Sequence, residues 1–376
     1  MTSSTEGLKP PSASVREVTS DDLEGVASLH RALGLGPRAA SAWDWIWERN
    51  PARRDGEARG WVLEQDGEIG GYLGSIPLAY RFRNSAVRAV AATAFAVAPR
   101  FRAHTLQLTS QFFRQPDVDL CLITTANPPA AQVFGAFRAR PIPQPHIETF
   151  LFWVSDPRRF VESAARRFGA PQALASAAGW VGGPLLQLEG LVRGRGPRSP
   201  HSRVEVERTS ADEIGSDFDA LFNVEAGGRP QLLRVRDSQQ LRWQLTGDPR
   251  VRAYQVFCAR RDGQLVGYAV AWNEWVEDLG FLRTRLVDLF AARDAPEVVD
   301  QLLWQACAYT RSSGSHVLEL RGFPPAVRGR FERLLPRQRP TGGSTSLFRA
   351  LRKDLRQALE APEAWYVTLV DGDTLF

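Results

Sequence analysis

The chain repeats itself at a nearly constant offset, and any fold it adopts must accommodate the repetition. VREVTSDDLEGVASLHRAL, starting at Val15, has the pattern of VEVERTSADEIGSDFDALF, starting at Val204. Each predicts a short alternating strand, a Thr-Ser cap and apolar residues at helical spacing. In the second copy Ser210 and Glu213 form a capping box, and Ile214, Phe218, Leu221 and Phe222 make one apolar face. WDWIWERNP then pairs with LRWQLTGDP, placing Trp45 and Trp243 198 residues apart. WVLEQDGEIGGYLGS pairs with YQVFCARRDGQLVGYAVAW, each a strand, an Asp-Gly hairpin turn and a second strand, with Asp66 and Asp262 196 apart. RAVAATAFAVAP aligns with RTRLVDLFAARDAP. DVDLCLITTANPPAAQVFGAF aligns with GSHVLELRGFPPAVRGRFERL, with Pro128 and Pro324 again 196 apart. Chance matches do not hold such an offset, so one fold is used twice.

The order within each half is strand, one or two helices, an antiparallel meander, a helix, a strand and a helix. That order predicts an α+β fold, each half a twisted mixed sheet flanked by helices. A chain of 376 residues is too long for one ordinary core and matches this division. The expected organisation is a disordered tail over 1–13, a first domain over 14–155, a helical connector over 156–202 and a second domain over 203–376. The boundary lies in RGRGPRSPHS. Within the connector, ALASAAGWVGGPLLQLEGLV (173–192) is apolar but dominated by Ala and Gly and interrupted by Pro184 and Glu189. It is too weak for membrane insertion and is expected to pack on a domain, with interfacial membrane contact as the lesser reading.

The formal charge of +5 comes from arginines scattered among acids, with lysine only at Lys9 and Lys353. No long basic run is present, which argues against a nucleic-acid partner. Cys121, Cys258 and Cys307 lie in apolar surroundings without metal-ligand spacing, so no metal site is expected. Buried free thiols and the lack of an apolar core in MTSSTEGLKPPSAS suggest a cytoplasmic protein without a secretory signal. The oligomeric state is not legible.

VAPRFRAHTLQ (97–107) reads as a phosphate-cradling turn from which the glycines are gone. A tight turn into a helix N-terminus offers unpaired N–H groups and a favourable dipole to an anion. In this turn and in the element order of both halves, the chain resembles the GNAT superfamily of acyl-coenzyme A dependent acyltransferases. Family members carry Val-x-Pro leading into Arg/Gln-x-x-Gly-x-Gly/Ala, whose amides bind the coenzyme pyrophosphate. Here Val97, Pro99 and Arg102 are kept, while Thr105 and Gln107 replace the glycines. Further on, Asn127, Ala130 and Val133 keep the family spacing. Phe134 stands where a Tyr often protonates the departing thiolate, and Arg138-Ala139 replaces Gly-Phe. The second half departs further, with Asp294 and Glu297 at the phosphate position and Phe323 in place of the Asn, so no coenzyme is expected there. WYVTLVDGDTLF resembles the final strand and acidic tail of tandem members.

The resemblance implies acetyl-CoA or another acyl-CoA as cofactor, held by Val97, Arg102, Ala103, His104, Thr105, Leu106, Asn127 and Phe134. It implies transfer of an acyl group to an amine of a small molecule, sugar or peptide. The alternative is a non-catalytic binding or scaffold protein that keeps the fold. His104 is either a phosphate contact or proton carrier, or a surface loop residue; Asn127 bonds the pantetheine arm or shapes a turn. The candidate catalytic residues are His146, Glu148 and Asp288. His146 and Glu148, two apart on an expected late strand, share a face and could deprotonate an ammonium, or simply face solvent. Asp288 interrupts an apolar strand and must line a cavity or pair with Arg283, Arg285 or Arg321. Trp43, Trp45 and Trp47 form either a stacking platform or packing beside the cleft.

Overall fold

The computed structural model describes residues 13–200, 204–247, 253–277 and 280–376. Residues 1–12 of the expected tail lie outside the described residues. In the first half, β1 (Ser14–Glu17) leads through a Thr19/Asp22 capping box into α1 (Leu23–Ala32) and then α2 (Ala40–Trp47). The meander β2 (Gly60–Gln65), β3 (Glu68–Phe82) and β4 (Ser85–Val97) precedes α3 (Thr105–Phe113), β5 (Leu120–Ala126), α4 (Pro128–Ala136), β6 (Arg140–Pro141) and β7 (Thr149–Val154). The second half repeats this with β8 (Glu205–Thr209), α7 (Ser216–Ala226), β9 (Leu232–Arg234), α8 (Ser238–Leu245), β10 (Tyr254–Arg261), β11 (Gln264–Val276) and β12 (Phe281–Ala291). Helix α9 (Pro296–Ser312), β13 (Val317–Arg321), α10 (Pro325–Glu332), β14 (Arg337–Pro340), β15 (Thr345–Ala350) and α11 (Lys353–Ala358) complete it, and α5 (Pro157–Arg167) and α6 (Gln172–Val192) connect the halves.

Local chemistry explains the matching parts. Ser210 and Glu213 cap reciprocally, and Ile214, Phe218, Leu221 and Phe222 are all buried against the second sheet. Asp66-Gly67 and Asp262-Gly263 turn the hairpins at positive φ, 54° and 78° in one and 50° and 79° in the other, as tight two-residue hairpin turns require.

The sheets do not follow the two sequence halves. The first runs β1-β2-β3-β4-β5-β15-β6, with β9 also paired to β3; the second runs β14-β7-β13-β12-β11-β10-β8. The first half therefore gives β7 to the second sheet and the second half gives β15 and the short β9 to the first, so the ranges 14–155 and 203–376 do not each hold a complete sheet. The exchanged β15 is anchored on both faces. Leu347 packs with the α3 and α4 side of the sheet, while Phe348 meets Trp365 edge-on at 4.8 Å in the core between the halves. Burying each such side chain is worth roughly 1.5–3 kcal/mol.

The halves also meet across an approximate two-fold relation at the tryptophans. Trp45 Nε1–H donates to the Trp243 carbonyl and Trp243 Nε1–H to the Trp45 carbonyl, both at 2.8 Å. Trp43 and Trp47 are buried and stacked at 4.8 Å. Trp43, Trp45 and Trp47 are thus packing residues, Trp43 and Trp47 set in the core and Trp45 against Trp243.

The connector is a helical hairpin, α5 (Pro157–Arg167) and α6 (Gln172–Val192). Its helices approach closely because Gly179 and Gly183 face Arg158; a Cβ at Gly183 would lie 2.7 Å from the Arg158 Cα.

Candidate active site

Strands β4 and β5 run parallel and pair only at Ala89–Leu120, Val90–Cys121 and Ala91–Leu122. Beyond these residues β4 stays with β3 and β5 turns to β15, so the sheet opens. A bulge helps it do so. The β3–β4 register passes from Gly74↔Thr93 to Tyr72↔Ala96, and Ala94 sits at φ 52°, outside the conformation preferred by residues with a Cβ. The opening holds a cavity of about 320 Å³ whose apolar wall includes Ala92, Phe95, Ile123, Ala126, Ala130 and Phe134.

Its titratable residues are His30, Arg38 and Asp373. Asp373 is only 5% exposed and accepts hydrogen bonds from the hydroxyls of Thr124 at 2.7 Å and Thr125 at 3.0 Å. Burial pushes its carboxyl above the usual carboxylate range, against the opposing pull of these hydrogen bonds and of Arg38. The Arg38 guanidinium donates to the Thr93 hydroxyl at 2.8 Å. His30 Nε2 lies 3.1 Å from the Ala94 carbonyl. A carbonyl only accepts, so Nε2 carries the proton and Nδ1 is the basic nitrogen. Burial holds this imidazole below its ordinary pKa, against the opposing pull of the Ala94 carbonyl, and so favours the neutral form.

Asp373 arrives on the final segment of the chain. Gly372, at φ 70°, lets that segment press onto β5, because a Cβ there would meet the Thr124 hydroxyl at 2.2 Å. Upstream, Leu369 N–H donates to the Val287 carbonyl at 3.1 Å, and Phe323 N–H donates to the Val367 carbonyl at 2.8 Å. These contacts lie where β12 and β13, paired only from Arg283–Val317 to Leu286–Leu320, separate in the second sheet. The segment thus fills the second opening with its own backbone and reaches the first with a carboxylate.

The expected coenzyme residues divide into two groups. Val97 ends β4, and Pro99–His104 forms a 3₁₀ turn running directly into α3. Phe101 seats the turn by packing on Gly70, where no Cβ fits. Arg102, Ala103 and Leu106 are exposed, His104 is half-buried with Nδ1 3.3 Å from Gln107 Oε1, and Thr105 is helical at φ −55°. The turn uses some of its own amides: Phe101 N–H donates to the Ala98 carbonyl and Thr105 N–H to the Arg102 carbonyl. Asn127 and Phe134 line the cavity itself. Asn127 caps α4, its side chain accepting from Ala130 N–H at 3.0 Å. Phe134 is buried among Phe95, Phe112 and Phe113, and carries no proton to give.

The expected catalytic residues do not meet here. His146 and Glu148 lie in an exposed turn before β7, not on a strand, with His146 at φ 59°, and neither lines the cavity. The prolines around them and the buried Ile147 fix a turn instead of the alternation expected. Asp288 is fully buried in the second half. Its partner is Arg236, at 2.9 and 3.1 Å, supplemented by the Tyr268 and Thr368 hydroxyls at 2.8 Å. Arg283 and Arg285 instead pair with Glu274. All four acceptor positions of the Asp288 carboxylate are engaged, which makes it a structural ion pair.

Sequence reasoning passed over Asp373, His30, Arg38 and the Thr124-Thr125 pair. Their signal was present but faint: two aspartates around a glycine in an apolar ending, and two hydroxyls at the end of an apolar strand. The three cysteines are free and buried, burial pushing each thiol up to about 12. Among the described residues no cluster could hold a metal ion.

No family profile and no curated protein matches the chain. Solved structures do. A GCN5-related N-acetyltransferase from Anabaena variabilis aligns over 90% of this chain and 73% of its own, with a TM-score of 0.57 at 11% identity. A probable N-acyltransferase from Enterococcus faecalis aligns over 91% and 73%, at 0.56 and 9%. Saccharomyces cerevisiae N-myristoyltransferase with bound myristoyl-CoA aligns over 92% and 80%, at 0.53 and 13%. Identities this low speak to architecture alone, and the architecture is a GNAT-like fold used twice in one chain.

Proposed function

We propose that the protein is an acyltransferase that moves an acyl group from coenzyme A to an amine of a small molecule, sugar or peptide. The observation carrying this reading is the opening between β4 and β5, apolar along one wall and closed by the buried carboxylate of Asp373. The residues fit the thioester arm of acyl-CoA: Ala92, Ile123, Ala126 and Ala130 leave a narrow apolar passage, and the bulge at Ala94 turns backbone away from the ladder toward it. The exposed Arg102 and the start of α3 would meet the phosphates. The coenzyme supplies the activated acyl carbonyl. Asp373, steadied by Thr124 and Thr125, takes the proton of the incoming ammonium. Positioning and electrostatics supply most of the acceleration in such a site, so the absence of a proton donor at Phe134 does not prevent the reaction.

A binding protein without activity is the second reading, favoured by Phe134 and by the 3₁₀ turn that consumes part of the amide cradle. Calorimetry with acetyl-CoA and longer acyl-CoAs, followed by assay of thiol release with amine acceptors, separates the two. Arg102→Glu should weaken coenzyme binding by about 1.5–3 kcal/mol, whereas Asp294→Arg in the second half should change it little. Binding without thiol release supports the second reading. No binding by the folded parent, or equal binding by both variants, defeats the assignment to the first half.

A further inference from the structure

The connector hairpin carries a surface that the slot chemistry does not use. Leu174, Val181, Leu185, Leu188 and Val192 recur at helical spacing along α6, and every one is more than half exposed. Ala177, Pro184 and Leu191 fill the same arc, which contains no charged residue. Inward, Ala175, Gly179 and Gly183 are the buried positions of the helix. At the tip of the hairpin Phe168 is 90% exposed. Soluble helices put polar side chains on the face turned to water; this one, 21 residues and roughly 31 Å long at the usual rise, does the reverse.

Charge selects the occupant. Residues 156–198 hold seven arginines against three carboxylates, a net +4 in a chain whose total is +5. Those carboxylates are engaged: Asp156 caps α5, Glu162 accepts from Ser176, and Glu189 holds Arg193, Arg195 and Arg337. Arg166 and Arg167 flank the tip, Arg198 follows the far end, and none of the three forms an ion pair among the described residues. A second copy of the chain, laid on this face in either direction, would bring arginine against arginine. An anionic bilayer surface satisfies both the apolar arc and its basic rim. No helix among the described residues is long and apolar enough to cross a membrane, and α6 is held against α5 through Ser176, Gly179 and Gly183 and against Arg337 through Glu189, so the geometry is one of lying in the interface.

We infer that the α5–α6 hairpin docks the protein on anionic lipid, with Leu174, Val181, Leu185, Leu188 and Val192 in the headgroup boundary and the arginines on the phosphates. None of these residues lines the slot between β4 and β5, so the inference stands apart from the proposed chemistry. The test is flotation of the full chain with vesicles of phosphatidylcholine alone and with about one third phosphatidylglycerol, at low and high salt. The expected result is flotation on the order of ten times greater with anionic vesicles, reduced by salt. Val181→Glu with Leu188→Glu should abolish it, and Arg166→Glu with Arg167→Glu should reduce it, each with an unchanged circular dichroism spectrum. Absence of anionic-vesicle binding, equal flotation with neutral vesicles, or retention by the Glu double variant overturns the inference. So does a dimer that the Glu double variant dissolves without any lipid binding, since the face would then join two copies.

Discussion

Asp373, the proposed proton acceptor, is held in the fold at a cost to stability. Its folded carboxyl binds a proton more tightly than the unfolded one, because burial penalises the charge more than Thr124, Thr125 and Arg38 compensate. The folded state therefore holds more protons once pH rises above the ordinary carboxylate range, and the stability slope there is negative. Asp371, also raised by burial although it faces Arg236 and accepts from the Tyr80 hydroxyl at 2.8 Å, adds to the same slope. Asp373→Asn keeps an acceptor for the threonines and removes the charge. In urea denaturation its stability relative to the parent should improve from pH 4 to pH 8, while acyl transfer to an amine falls by roughly 10²–10⁴. Full activity in the variant would exclude Asp373 as proton acceptor, and a pH-independent stability difference would exclude the buried charge as its cause.

At the scale of elements, local signals were legible and partnerships were not. Capping at Ser210, the Asp-Gly turns at 66 and 262, and the apolar faces of α1 and α7 follow from neighbours in sequence. The unbroken apolar runs FLFWV in β7 and LF in β15 mark strands buried on both faces but cannot say in which sheet. The slot was harder still, since Asp373 meets Thr124 across 249 residues. The loop before α3 lies between these cases: the sequence marks it as a turn into a helix, while its use of amides in a 3₁₀ turn depends on Phe101 finding Gly70. Thr105 at φ −55° needs no glycine, and the exposed Gln107 leans toward His104. Thr105→Gly with Gln107→Gly should preserve or tighten coenzyme binding by opening space, while lowering stability by about 1–2 kcal/mol in total. Parallel calorimetry and urea denaturation check both halves of that expectation; weaker binding would mean that these side chains themselves contact the ligand.

For the whole molecule, the exchange of β7 and β15 ties the halves more firmly than their shared core alone. Each fragment of a chain divided between residues 198 and 199 holds a strand the other sheet requires. Expressed separately, the fragments should be insoluble or unfolded; expressed together, they should elute as one particle with the circular dichroism spectrum of the intact chain. Two soluble, independently melting fragments would contradict the exchange. The same arrangement bears on synthesis. Domains generally fold in order as they leave the ribosome, N-terminal first, yet here the first sheet awaits β9 and then β15, which emerges only after the second half has been made. Until then the nascent chain carries β5 with an unpaired edge, the kind of surface that recruits strands from other chains. Protection of that edge during translation, by slow elongation or a chaperone, becomes a condition for obtaining the native molecule.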